Sequence, residues 1–154
     1  VAMIFAGIAL ALTQRILQVS EQRNLQATRE HLGNSLISLS AEYVAQRKAL
    51  PADWLRRNPF ELLRWQQSDY CGELEQGHEP EPGCWYFLPQ VAWLLYRSEF
   101  SDRASESRDD LYLFRVRAVP AGAGKDAQWQ QGPFALELQP VSAAERHAIT
   151  LWKD

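Results

Sequence analysis

Residues 1–50, VAMIFAGIALAL-TQRILQVSEQRNLQATREHLGNSLISLSAEYVAQRKAL, decide how this chain is built. The first twelve are apolar and uncharged, and the remainder turns polar without losing its helix-forming character. Twelve residues at 1.5 Å each span about 18 Å, short of the roughly 30 Å hydrocarbon core of a bilayer. No basic residue precedes the run and no small-residue cleavage site follows it, so it is not a complete secretory signal. The first residue is Val rather than Met, and the natural chain is expected to extend upstream. The run reads as the outer half of a membrane-anchoring helix. A core helix of a soluble protein and the remnant of a signal segment are the alternatives.

From Thr13 to Leu50 there is no Pro and a single Gly, Gly33, among many Gln, Arg, Glu, Leu and Ala, all good helix formers. Leu25, Leu32, Leu36, Leu39 and Tyr43 recur at helical spacing and form an amphipathic stripe. Between Thr13 and Thr28 the stripe thins. One helix is therefore expected to carry an apolar stem, a polar neck and an amphipathic half, ending at Leu50-Pro51 because the residue before a proline is pushed out of helical space. Residues 1–28 are expected to protrude as stem and neck, and residues 29–154 to form a head against which residues 29–50 dock. Gly33 marks either a bend or a close packing contact.

Past Pro51 the pattern changes. Asn58 is a candidate cap, with Pro59 at the first position of a short helical turn. Residues 64–84 hold three Gly and two Pro and read as loop. Cys84–Leu88 and Ala92–Arg97 form a hairpin around Pro89-Gln90, Leu111–Val119 a third strand and Phe134–Leu138 a fourth. Ser142 with Glu145 three residues on is the signature of a capped terminal helix. The charged stretch 97–110 and the Gly/Ala-rich stretch 121–132 read as loops. A long helix followed by an antiparallel meander of about four strands is an α+β fold.

Charge and cysteines narrow the function classes. Residues 1–50 hold five Lys/Arg against three Asp/Glu, and residues 51–154 hold eleven against sixteen. A mildly acidic body without a basic stripe argues against nucleic-acid binding, which neutralises phosphates. The two cysteines, Cys71 and Cys84, bracket CGELEQGHEPEPGC. In an oxidising compartment they are expected to form a disulfide contributing about 3 kcal/mol; in the cytosol they would be free thiols.

The loop residues Glu73, Glu75, His78, Glu79 and Glu81 with the two cysteines match neither zinc nor calcium spacing. His31, His78 and His147 are scattered and no nucleophile motif accompanies them. Asp109-Asp110 reads as a charged loop edge rather than a cation site. No catalytic residue, metal, cofactor or small-molecule substrate is expected. Trp85, Tyr86, Phe87, Trp93 and Tyr96 concentrate aromatics in one hairpin. They read as core with cross-strand pairs, and as a candidate partner surface if alternate residues are exposed.

The layout, with NPFELL at 58–63, PGCWYF at 82–87 and LLYR at 94–97, resembles the type IV pilin and type II secretion pseudopilin superfamily. It is similar in particular to the small accessory proteins of mannose-sensitive haemagglutinin (MSHA) pilus systems. The resemblance implies an inner-membrane single-pass protein with a periplasmic head. It further implies a non-enzymatic minor pilin or pilus biogenesis role whose partners are other subunits and membrane lipid. On that reading Ile4, Phe5, Ala6, Gly7, Ile8, Ala9, Leu10, Ala11 and Leu12 form the membrane and partner helix. An anchored periplasmic sensor or assembly scaffold that never enters a filament is the other reading.

The chain departs from the pilin processing pattern. No Gly precedes an N-methylated aromatic with a Glu shortly after; Phe5 follows Ile4, and the first Glu is Glu21. The cysteine pair also precedes the expected sheet, whereas the major-pilin disulfide clips the C-terminal region, so no receptor-binding role carries over.

Overall fold

The structure, a computed structural model, describes residues 1–101, 110–120 and 134–148. The chain is α+β. Helix α1 runs unbroken from Ala2 to Ala45 and packs on a five-stranded sheet, β1 (Tyr70–Glu73), β2 (Trp85–Leu88), β3 (Trp93–Arg97), β4 (Leu111–Pro120) and β5 (Phe134–Pro140), followed by the short α2 (Ala143–Ala148).

Six residues of α1 are buried, and their spacing explains the docking. Glu21, Leu25, Thr28, Leu32, Leu36 and Ser40 recur every three or four residues and form one face. Packing therefore starts about two turns before residue 29. Leu39 and Tyr43, the outer members of the expected stripe, are only half-buried. The helix stops before Leu50. Gln46 caps it, Arg47 takes a left-handed conformation (φ 52°), and the N–H groups of Arg47 and Lys48 bond back to the carbonyls of Val44 and Tyr43. This is a Schellman turn built without glycine, so local capping rather than Pro51 ends the helix. Gly33 is not a packing contact, since a Cβ built there meets no atom within 4 Å.

Two 3-10 turns, Ala52–Leu55 and Pro59–Leu62, lead back along α1. Asn58 caps the second, its Oδ1 accepting the Phe60 N–H at 3.1 Å. Phe60 is fully buried and stacks on Tyr70 with ring centroids 4.3 Å apart.

The sheet is mixed, with strands ordered β1-β2-β3-β4-β5. The hairpin β2–β3 pairs Trp85 with Tyr96 and Leu88 with Trp93, and β4 and β5 continue the antiparallel meander. The strand β1 corrects two expectations: residues 70–73 are not loop, and they run parallel to β2, with Tyr70 opposite Trp85 and Glu73 opposite Phe87. Parallel neighbours need a long return connection. Residues 74–84 supply it, with Leu74 packed against the sheet's second face and Pro80 fully buried. Strand β1 is short, irregular and contains Gly72 in a positive-φ conformation (101°), so it lacks the alternation by which strands are recognised. Cys71 thus lies within the sheet rather than before it, and Cys84 directly precedes β2.

Both sheet faces are covered. Trp85, Phe87, Leu94, Tyr96 and Phe114 meet Leu25 and Leu32 of α1 on one side. Tyr86, Leu88, Trp93, Leu95 and Leu113 meet Leu74 and Val141 on the other. The terminal helix carries the expected capping box: the Ser142 hydroxyl donates to the Glu145 carboxylate at 2.8 Å, and the Glu145 N–H points back to it. The stretches 102–109 and 121–133, which hold most of the two expected loops, lie outside the described residues.

Candidate partner-binding stem and its clamp to the head

The stem is the first half of α1. Every residue from Val1 to Leu17 is exposed. Ile4 (67%), Phe5 (68%) and Leu10 (70%) lie bare, with Ile8 and Leu12 little better covered. Ala6, Gly7, Ala9 and Ala11 lie between them, exposed as well, and a Cβ on Gly7 would enter open space. By length and composition α1 is long and apolar enough to cross a membrane. A bare apolar rod of this kind needs a cover, and the described residues of the head supply none.

The head begins abruptly at Glu21. This carboxylate is buried and accepts four hydrogen bonds: from the Tyr96 hydroxyl (2.9 Å), the Ser98 hydroxyl (2.8 Å), and the backbone N–H groups of Glu99 (2.6 Å) and Phe100 (3.2 Å). Two glutamines widen the clamp. The Gln18 amide donates to the Phe100 carbonyl at 2.9 Å, and the Gln22 amide to the Tyr112 hydroxyl at 2.8 Å. A carboxylate removed from water is tolerated when its lone pairs are filled by donors, and here they are. Burial first, and then its bond to the Glu21 carboxylate, push the Tyr96 hydroxyl far above the ordinary tyrosine range. The Tyr70 hydroxyl is also raised by burial, partly offset by the bond it accepts from Asn58. Burial raises the Asp69 carboxyl as well.

Glu21 was not among the expected site residues. Its signal lies in position rather than hydrophobicity: counting back from Leu25 by one helical turn lands on it, so a stripe read by spacing alone would include it. Ser40 closes the other end of the stripe in the same manner, its hydroxyl accepting the Leu136 N–H at 2.9 Å.

Cys71 and Cys84 form a disulfide with Cα atoms 5.7 Å apart, tying the start of β1 to the start of β2. Glu73 at the end of β1 and Glu75, His78, Glu79 and Glu81 on the connection that follows are all exposed. Arg97 holds this loop through Glu79 (3.0 Å) and the Pro80 carbonyl (2.6 Å), and also pairs with Asp110 at 3.2 Å. Among the described residues no three His, Cys, Asp or Glu side chains converge as a metal site. His31 is exposed on α1, and the His147 side chain and Asp109 lie outside the described residues.

The aromatic hairpin is corrected as a partner surface. Trp85, Tyr86, Phe87, Trp93 and Tyr96 are each at most 7% exposed. Alternate residues do face opposite ways, but α1 covers one face and the disulfide loop with Val141 the other, so all five are core. Among the described residues the exposed tryptophan is instead Trp65 (79%), after the second 3-10 turn. No protein-family model, curated protein or solved structure matches the chain.

Proposed function

We propose that this chain is a non-enzymatic, pilin-like accessory protein, a minor pilin or biogenesis factor of a type IV pilus of the MSHA type or of a type II secretion pseudopilus. It would sit in the bacterial inner membrane by its N-terminal helix, with the head in the periplasm. The observation that carries this reading is the division of α1. Residues 1–17 are bare, the first twelve of them uncharged and almost wholly apolar, while from Glu21 onward one face is packed into a sheet domain without a break in the helix. Lipid covers such a stem until partner helices replace it. Inside lipid that exchange depends on close packing, for which Ala6, Gly7, Ala9 and Ala11 offer small surfaces. The Cys71–Cys84 disulfide suits an oxidising periplasm.

The alternative, an anchored scaffold that helps assembly without entering a filament, is favoured by Glu21. Its carboxylate is fully engaged by its own head and is not offered to a neighbour. Removing the chain from a piliated host and shearing filaments from the wild type tests both. The accessory reading requires fewer surface filaments on removal; unchanged piliation and secretion would sink it. Co-purification with sheared filaments selects the minor pilin, and retention in the membrane fraction selects the scaffold.

A further inference from the structure

An open cleft lies where the bare half of α1 meets the head. It holds about 580 Å³, between the helix from Gln18 to Glu30 and the segment Ser98–Ser101 with Tyr112. Val19, Ala27 and Phe100 give it apolar walls. The exposed apolar side chains of the stem run up to Val19, so the cleft opens directly above them.

Its polar groups are ordered along the helix axis. Arg23 is exposed on the wall one turn above Val19 and has no ion pair among the described residues. Glu30 lines the far end, about 10 Å further along. Between them Gln22 and Gln26 use their amide nitrogens on the Tyr112 hydroxyl (2.8 Å) and the Glu30 carboxylate (3.0 Å), which leaves both amide oxygens as acceptors. The neighbouring charges are engaged elsewhere. Glu21 lines the cleft, but its carboxylate is filled by four donors of the head. The Glu99 carboxylate turns toward Gly83, where an added Cβ would meet it at 3.1 Å. The Arg29 guanidinium sits 4.7 Å over the Phe114 ring. Arg23 and Glu30 are therefore the two charges the cleft presents to a ligand. Arg15, exposed on the same helix face one turn below Val19, adds a second cation on the stem side.

A cation beside the apolar stem and a carboxylate farther out mirror one kind of lipid. An aminophospholipid carries its phosphate next to the acyl chains and its ammonium beyond. We propose that the cleft binds the headgroup of a phosphatidylethanolamine from the leaflet beside the head. Arg23 donates to the phosphate. The ammonium has three N–H donors, and the Glu30 carboxylate with the amide oxygens of Gln22 and Gln26 supplies three acceptors. Below the cleft, Ile8 and Leu12 continue the face of Val19 at helical spacing and give the acyl chains an apolar track. A choline headgroup presents methyls in place of these donors, and a glycerol headgroup brings no cation to Glu30. The inference deepens the proposed function and rests on it only for the stem lying in a bilayer.

The test is native mass spectrometry of the full chain in detergent with equimolar phosphatidylethanolamine, phosphatidylcholine and phosphatidylglycerol of identical acyl chains. Wild type should retain one phosphatidylethanolamine in about tenfold preference to the other two, the worth of one charge-assisted hydrogen bond. Arg23→Gln should lower retention of all three lipids. Glu30→Gln should remove the preference for phosphatidylethanolamine over phosphatidylcholine while phosphate-dependent retention persists. Both positions are exposed, and an unchanged urea midpoint of the head reports that each variant is folded. Equal retention of the three lipids, retention of none, or an undiminished preference in Glu30→Gln would overturn the proposal. So would displacement of the lipid by an equal concentration of glycerophosphoethanolamine, which would make the cleft a site for a soluble solute. Each of these results leaves the filament-shearing experiment, and the function it tests, standing.

Discussion

Glu21 is the residue on which the neck depends. Its replacement by alanine leaves two hydroxyls and two backbone N–H groups facing an apolar methyl, and buried donors without acceptors are expensive. Glu21→Ala is expected to lower head stability by about 3 kcal/mol. Urea unfolding in mild detergent would read this as a lower midpoint at unchanged slope. A shift under a few tenths of a kcal/mol would mean that the carboxylate is not held as described. Tyr96 adds a pH dependence of known sign. Its hydroxyl is raised in the folded state, so stability is present in full below about pH 10, the unfolded tyrosine value, and is lost as pH rises from there through the folded value. Tyr96→Phe should be less stable at neutral pH, having lost its bond to Glu21, and should show a shallower alkaline decline in circular dichroism. An unchanged alkaline slope would assign that decline to other groups. Hydropathy reading passes over Glu21 because a charged residue in a polar neck looks solvated. Its burial is created by donors eighty residues away, which local pattern does not report.

At the scale of elements, strong local periodicity was readable and irregularity was not. The hairpin, the third and fourth strands and the Ser142–Glu145 cap follow from alternation and capping chemistry, and the structure contains them. Strand β1 escapes notice because four residues around a positive-φ glycine carry no alternation, and only pairing with β2 makes them a strand. The end of α1 escapes for a related reason: a Schellman turn usually advertises itself by glycine, and here Arg47 takes that place. Both aromatic faces of the hairpin are buried because a connection and a tail segment cover the second one, and no single strand encodes its own lid. Gly33 offers a test on the helix itself. With open space at its Cβ position, Gly33→Ala should stabilise the head by about 1 kcal/mol, measurable as a raised urea midpoint. A destabilised variant would indicate that the helix needs freedom at that turn.

For the whole molecule the decisive property is that one helix is bare in its first half and packed along one face in its second. Residues 1–12 present apolar side chains on all sides, whereas the head half presents one buried stripe, and burial begins within about one turn of Gln18. Ile8→Asp places a charge midway along the apolar run, which costs about 3 kcal/mol of insertion free energy. The protein should then move from the alkali-resistant membrane fraction toward the soluble one. The head's urea midpoint should stay unchanged, since position 8 lies well before the first packed residue. Full retention in the membrane would show that the stem is not what holds the chain there.

The continuity of α1 through its clamp has a mechanical consequence. Forty-four helical residues make a rod of about 66 Å with no proline and no break at the point where it enters the head. The rod works as a lever with its fulcrum at the grip on Glu21. Tilting the stem by about ten degrees about that point swings the far tip of the helix by roughly 6 Å, and a pull along the stem loads the four hydrogen bonds of Glu21 in shear before it reaches the apolar stripe. Force applied across the stem is thereby delivered to the sheet as rotation and not absorbed at a flexible joint.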